Sequence, residues 1–330
     1  MAYTTIDDPS VYFQIELYTG TGSGVAHTFD GDTDLAPGLL WIKSRSASNS
    51  SAISDSVRGY DKAIASDYTG GEWTSKLASF DSDGFTTTGD GGTGFGATSY
   101  SGRTYVAWCW KESATAGFDI VSYTGDGTVT NISHSLSAVP ELIIAKDRDA
   151  TSDWVVYHHT QGNGKHFDLN NQDAVATDAN AWNDTTPTSS VFTVGENSYT
   201  NPDSRAMIYY LFAPKQGYSK FGSYTGNSST DGTFVYTGFS PSFLMIKCTS
   251  GTEDWWTFDN KRNTYNVVDE ALHASDDDAV EVADSLDFLS NGFKWRVDSG
   301  ARNATGSTYV YMAFAEAPFV NSGGVPANAR

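Results

Sequence analysis

The chain repeats itself three times, and that period constrains its fold more than any other feature. Tyr-Thr-Gly stands at Tyr18-Thr19-Gly20, Tyr123-Thr124-Gly125 and Tyr224-Thr225-Gly226. A Pro, an apolar run and a Lys occupy 37–43, 140–146 and 241–247, with Lys43, Lys146 and Lys247 lying 103 and 101 residues apart. Each copy closes on an aromatic-rich stretch, Tyr105-Val106-Ala107-Trp108-Cys109-Trp110, Met207-Ile208-Tyr209-Tyr210-Leu211-Phe212 and Tyr309-Val310-Tyr311-Met312-Ala313-Phe314. The last aromatic recurs at 110, 212 and 314, an offset of 102 both times. Three landmarks in one order with one period divide the chain into modules 11–115, 116–217 and 218–320. A segment 1–10 precedes them and a tail 321–330 follows.

Each landmark carries a structural meaning. The Pro opens a strand where a missing N–H is tolerated, and the Lys is expected where that strand re-emerges into water. Four or five consecutive apolar residues between them predict a strand covered on both faces. The closing stretch is likewise apolar without alternation. With no 3.6-residue stripe, two such strands per copy imply sheets packed face to face. The expected fold is all-β: three tandem β-sandwich modules, jelly-roll-like, of about a hundred residues each. Plentiful Gly, Ser, Thr, Asn and aromatics, with only 18% charged residues, suit short strands and polar turns better than helices. Asp83-Gly84 before Phe85 and Asn291-Gly292 before Phe293 predict hairpins with type I′ turns. The second copy has Ser189-Ser190-Val191-Phe192 there, so its hairpin is expected to differ. Linkers 113–117 and 214–217 are short and predict closely spaced modules.

A net charge of −20 repels phosphate backbones and anionic lipid, which argues against nucleic acid and membrane partners. No apolar run approaches the roughly 20 residues of a membrane span. The first residues show neither a basic region nor an apolar one of a signal peptide, so synthesis in a cytoplasm is expected. Cys109 and Cys248 occupy non-equivalent positions and read as two free thiols packed as small hydrophobes.

No nucleophile elbow, phosphate loop, dinucleotide fingerprint or zinc-ligand spacing appears, so no catalytic, cofactor or metal residue is assigned and no enzyme activity is expected. His158 and His159, with His166 nearby, would point to opposite faces of a strand and not share a metal. Asp81 with Asp83, or Asp284 with Asp287, has the residue types of a glycosidase pair but reads as turn and loop carboxylates. Asp276-Asp277-Asp278 followed by Glu281 offers oxygen ligands without the spacing of an EF-hand and reads as a solvated acidic loop. Trp41, Trp108 and Trp110 fall in apolar strands and are assigned to the core. Trp73, Trp182 and Trp255 (or its neighbour Trp256) fall in polar surroundings. They are candidates for stacking on sugars, or for packing between modules or subunits.

These landmarks resemble repeat modules of unassigned function in virion structural proteins of tailed phages, marine ones in particular. The resemblance covers nearly the whole chain. It includes Ile6-Asp7-Asp8-Pro9-Ser10, Asp55-Ser56-Val57-Arg58-Gly59, Trp154-Val155-Val156-Tyr157-His158, Ala181-Trp182-Asn183-Asp184-Thr185 and Asp287-Phe288-Leu289-Ser290-Asn291-Gly292-Phe293. It implies a non-enzymatic component of the particle exterior, either a fibre or adhesion protein or a head decoration, assembled in the host cytoplasm. It implies other virion proteins (capsid, tail or baseplate) as partners and a homo-oligomer, a trimer by analogy with that class. Host surface glycan is the partner in the alternative, lectin-like reading, which includes a polysaccharide-directed enzyme. The first copy departs by having Ser54 where the third has Phe258. Ile6, Asp7, Asp8 and Pro9 have no counterpart in the repeats; they are either a docking segment for the particle or a capped lead-in to the first module.

Overall fold

The landmark stretches form the middle of three sheets built alike. In each copy an opening strand (Phe13–Thr19, Phe118–Thr124, Ser219–Thr225) pairs with a closing strand (Thr104–Trp110, Ala206–Phe212, Thr308–Pro318). The closing strand pairs in turn with a Pro–Lys strand (Leu39–Ser44, Leu142–Asp147, Phe239–Cys248). A fourth strand (Ala52–Asp55, Val155–His158, Trp256–Asp259) and a fifth (Gly59–Ile64, Lys165–Asp168, Val268–His273) complete the common order, antiparallel throughout. The register repeats as well. Leu39 lies between Trp110 and Asp55, Leu142 between Phe212 and His158, and Phe243 between Phe314 and Asp259. The computed structural model describes residues 3–89 and 95–327, the side chains of 283–285 excepted. The protein is all-β, as expected.

Beyond the fifth strand the copies diverge. The third sheet continues through Glu281–Leu289, Gly292–Trp295 and Phe234–Tyr236 to eight strands. The first has a separate sheet of Ala26–His27, Gly84–Thr87 and Leu77–Asp81, and the second a pair, Thr130–Ser133 with Val191–Val194, beside the short helix Ala179–Trp182. Both predicted hairpins form, but their turns are Ser82-Asp83 and Ser290-Asn291, without positive φ at those residues. Each glycine instead heads the returning strand. A Cβ on Gly84 would lie 1.9 Å from the His27 carbonyl oxygen, and one on Gly292 would lie 2.0 Å from that of Val235. Close approach of a neighbouring strand requires glycine at both positions, and Gly84 also has a positive φ of 107°.

The apolar strands are covered on both faces by different partners. On the closing strands Tyr105, Ala107 and Cys109, then Met207, Tyr209 and Leu211, then Tyr309, Tyr311 and Ala313 face clusters internal to their own copies. The alternating residues Val106, Trp108 and Trp110, then Ile208, Tyr210 and Phe212, then Val310, Met312 and Phe314 all join one shared cluster. Leu39 and Trp41, Leu142 and Ile144, and Phe243 and Met245 join it from the Pro–Lys strands. Across it Trp110 meets Phe314 at 5.6 Å and Phe243 at 5.6 Å, while Phe212 meets Phe314 at 5.9 Å, edge to face. The copies are therefore not separate bodies with short linkers. Each leaves one face of its main sheet uncovered, and the three faces bury one another.

Three equivalent joins close this ring. Ser152 N–H donates to Thr69 O and Glu72 N–H to Arg148 O between copies one and two. Glu253 N–H to Gln172 O and Val175 N–H to Thr249 O join two and three, and Asn49 N–H to Asp277 O and Val280 N–H to Arg45 O join three and one. The lysines expected in water are buried at these joins. Lys43 Nζ donates to Asp276 O at 2.6 Å, Lys146 Nζ to Thr69 O at 2.8 Å and Lys247 Nζ to Gln172 O at 3.0 Å, always onto the preceding copy around the ring. A head-to-tail contact repeated with a rotation that closes gives a ring; here all three protomer-like units sit in one chain. Cys109 and Cys248 are buried free thiols, as expected. No described helix is long and apolar enough to cross a membrane.

Candidate functional site

Of the three candidate tryptophans, for sugar stacking or for packing, only Trp73 reaches the surface. Trp182 and Trp255 are each 2% exposed. Trp182 fills the second copy's own cluster, edge to face on Tyr157 at 5.9 Å. Trp255 enters the shared core and donates Nε1–H to Asp168 O at 2.9 Å across the join, which matches the packing alternative. Their polar sequence neighbours line loops while the rings themselves turn inward; Trp256 is buried too.

The residues Ile6, Asp7, Asp8 and Pro9 are a built-in lead-in. Ile6 and Pro9 are buried, Ile6 within the shared core. Asp8 caps the turn Pro9–Val11 by accepting from Ser10 N–H, and Asp7 accepts from Ser322 of the tail. Residues 1–2 of that segment and 328–330 of the tail lie outside the described residues. His158 and His159 bond to different carbonyls, those of Tyr311 and Phe221, so they do not converge. Asp81 accepts from Ser79 and Thr86, and Asp83 from Leu35 N–H, as turn carboxylates do. Asp287 is paired with Arg296, and the side chain of Asp284 lies outside the described residues.

Trp73 lines a shallow groove of about 590 Å³ where copies one and two meet. The pairing of Ala63 with Trp73 places the indole at the sheet edge. Phe95 packs edge to face on Trp73 and on Tyr68, each at 4.7 Å. Tyr68 is 47% and Phe95 41% exposed, so the trio presents ring surface to solvent. Two glycines make room for it, since a Cβ on Gly70 would lie 2.0 Å from the Tyr68 ring and one on Gly96 would lie 2.8 Å from Trp73. Arg148 and Glu72 form an ion pair at 3.1 Å along the groove, and Asp149 and Thr151 add hydrogen-bonding groups. Tyr68 and Phe95 carried no signal in the sequence beyond lying among Gly, Thr and Asp residues.

A second cleft, about 390 Å³, opens where copies one and three meet and is lined by Asp8, Asp30, Asp32 and Glu316, with Lys261 paired to Asp30. Beside it the Glu16 carboxyl is pushed up to about 7, first by burial and then by the Asp30 charge, with Lys261 opposing both.

The acidic loop 276–278 is not simply solvated. Asp276 Oδ2 lies 2.7 Å from His273 Nδ1, and Asp254 Oδ2 lies 3.9 Å from the same nitrogen. Glu281 Oε1 is 3.7 Å from Nε2. Burial alone would lower the basicity of His273, but the Asp276 hydrogen bond and charge, then Asp254 and Glu281, raise it overall. Asp254 also accepts from Gln172 of copy two, and the Asp276 carbonyl accepts from Lys43 of copy one, so all three copies meet here. The His273–Asp276 spacing was readable in the sequence; Asp254 arrives only through the fold.

No curated protein matches the chain, and no solved structure does. One family model runs across all three copies without a break, matching residues 8–318. The chain thus belongs to the family described as Domain of unknown function (DUF7483).

Proposed function

We propose that this protein is a non-enzymatic structural component of a tailed-phage particle exterior, a fibre, adhesion or decoration appendage that acts by binding. In this reading the three copies are tandem β-sandwich modules of jelly-roll type, each completing its second layer in its own way. The observation that carries the reading is the shared core: three copies of one module locked head to tail give a stiff body with a single orientation. Stiffness suits a part that must hold exposed loops in place on a particle. The resemblance to virion repeat modules supplies the setting. The lead-in and the start of the tail lie together, with Asp7 bonded to Ser322 and the Tyr3 ring 6.4 Å from Phe319, so a partner docking on one of these segments would touch both. Purified particles probed with a gold-labelled antibody test this. Label at one fixed position on the particle is expected; recovery only in the soluble fraction of infected cells, with bare particles, would overturn it.

A second reading, glycan recognition, is favoured by the groove of Tyr68, Trp73 and Phe95. Half-exposed rings beside paired charges suit stacking on sugar faces, with hydrogen bonds to hydroxyls from Glu72, Arg148 and Asp149. Binding to host surface polysaccharide, measured on a glycan array, is expected to vanish in Trp73→Ala and Tyr68→Ala while the melting temperature of each variant shows a folded chain. Absence of binding by the unaltered protein to any host glycan counts against this reading alone.

A further inference from the structure

We propose that Asp254, His273 and Asp276 bind one divalent transition-metal ion of the zinc or manganese class, at the place where all three copies meet. Donor atoms of these three residues lie within 4.8 Å of one another. The His273 side chain is only 9% exposed, yet its Nε2 has no hydrogen-bond partner, with Glu281 Oε1 standing off at 3.7 Å. The Nδ1 edge of the ring faces both aspartates, Asp276 at 2.7 Å and Asp254 at 3.9 Å, and leaves the Nε2 edge toward Glu281, a carboxylate placed where the other N–H of a metal-bound imidazole needs an acceptor; the ring sits among carboxylates that outnumber the nearby cations. Lys43, whose ammonium donates to the Asp276 backbone carbonyl, brings one positive charge against the carboxylates of Asp254, Asp276 and Glu281 and so does not balance them.

The second copy is arranged differently at the equivalent place. The register that sets His273 opposite Trp256 sets Asp168 opposite Val155. There Asn171 donates to Asp168 and Asn170 to Asp153, so amides serve the carboxylates, and the imidazole of His166 stands off at 3.8 Å from Asp168. In the third copy the imidazole itself lies 2.7 Å from Asp276, with Asp254 at 3.9 Å and Glu281 at 3.7 Å from its ring nitrogens.

The donor set selects the metal. One imidazole and two or three carboxylates suit zinc, manganese or cobalt, whereas calcium takes roughly 6–8 oxygens. Donors on a tetrahedral zinc stand about 3.4 Å apart, so the Nδ1 to Asp254 separation of 3.9 Å closes by a small side-chain rotation. Binding removes the proton from Nδ1 and replaces the His273–Asp276 hydrogen bond with a shared ion. Because Asp254 is held by copy two and Asp276 by copy one, the ion would tighten the whole ring.

Isothermal titration of the full chain, stripped with EDTA and supplied with Zn²⁺, tests the proposal. One ion per chain and a higher melting temperature, reversed by EDTA, are expected. His273→Gln and Asp254→Asn should each weaken binding by at least about tenfold, while Asp277→Asn and Asp278→Asn leave it unchanged. Substitution by Co²⁺ gives a readout that needs no variant, since visible absorption of tetrahedral character reports the nitrogen and oxygen ligands directly. No saturable zinc binding, affinity unchanged in both ligand variants, or equally tight Ca²⁺ binding would each overturn it.

Discussion

One position shows how single residues write the join between copies. Trp108, Tyr210 and Met312 are equivalent, and each points into the neighbouring copy. Trp108 Nε1–H donates to Asp259 Oδ2 at 3.0 Å, and Tyr210 OH donates to Asp55 Oδ2 at 2.7 Å. Both aspartates hold a buried arginine three residues on, Arg262 at 2.6 Å and Arg58 at 2.5 Å. Met312 has no proton to donate, and opposite it the aspartate is replaced by His158, whose Nε2 contacts the Tyr311 carbonyl at 3.3 Å. Thr160 N–H donates to His158 Nδ1, so the ring is neutral with its proton on Nε2. Burial, and then the neighbouring His159 charge, lower its pKa to about 3. The unfolded chain binds a proton there below about 6.5 and the folded one does not. Stability from this group is therefore complete above that pH and falls as pH drops toward 3, by about 1.4 kcal/mol per unit. Between pH 7 and 5 the unaltered protein should lose about 2 kcal/mol more than His158→Gln in urea unfolding; equal losses would refute this account. Asp259→Asn, which strands the Arg262 charge, should cost about 3–5 kcal/mol in the same assay, against about 1 kcal/mol for Trp108→Phe.

At the level of elements, the Pro–Lys strand ends by handing its lysine to the preceding copy, and the following loop does the same with a tryptophan. Trp154 Nε1–H donates to Ala65 O at 2.7 Å, as Trp255 does to Asp168 O. The first copy has Ser51 there, which bonds to Ser66 and Asp67 of its own copy, so the join between copies three and one lacks an indole. That join instead carries the ion pair of Arg45 with Glu270 and, through Asp276, the imidazole–carboxylate cluster. Trp154→Ala removes a fully buried ring from the shared core and should cost about 3–5 kcal/mol. Trp154→Phe keeps most of the packing and loses one hydrogen bond, about 1 kcal/mol. Differential scanning fluorimetry reads the order of the two, and similar losses would mean that the ring contributes little packing.

For the whole molecule, the shared core makes the copies interdependent. Calorimetric unfolding is expected to show one transition whose calorimetric and van't Hoff enthalpies agree; three resolved transitions would mean that the copies are independent. Residues 116–217 expressed alone would expose Ile144, Trp154, Tyr210 and Phe212, a patch of the kind that drives aggregation. Light scattering of that fragment should show aggregates, and a folded monomer would contradict the ring.

The period, the strands within it, their coverage on both faces and the all-β class were all legible in the residues themselves. Local pattern carries these, because a run such as Leu39-Leu40-Trp41-Ile42 must hide both faces whatever covers them. What covers the second face was not legible, since a second sheet and a second copy present the same apolar surface to a strand. The same ambiguity placed Lys43, Lys146 and Lys247 in water, when a neighbour's backbone was waiting for them, and left Trp182 and Trp255 open between sugar stacking and packing. Of the candidate sites, Trp73 and the His273–Asp276 spacing lie in local sequence. Tyr68 with Phe95, and Asp254 with His273, meet only through the fold of their own copies. The sequence by itself determined three like sheets, and the tertiary structure alone decided that their bare faces bury each other, because burial is set by what lies across a surface and not by what lies along the chain.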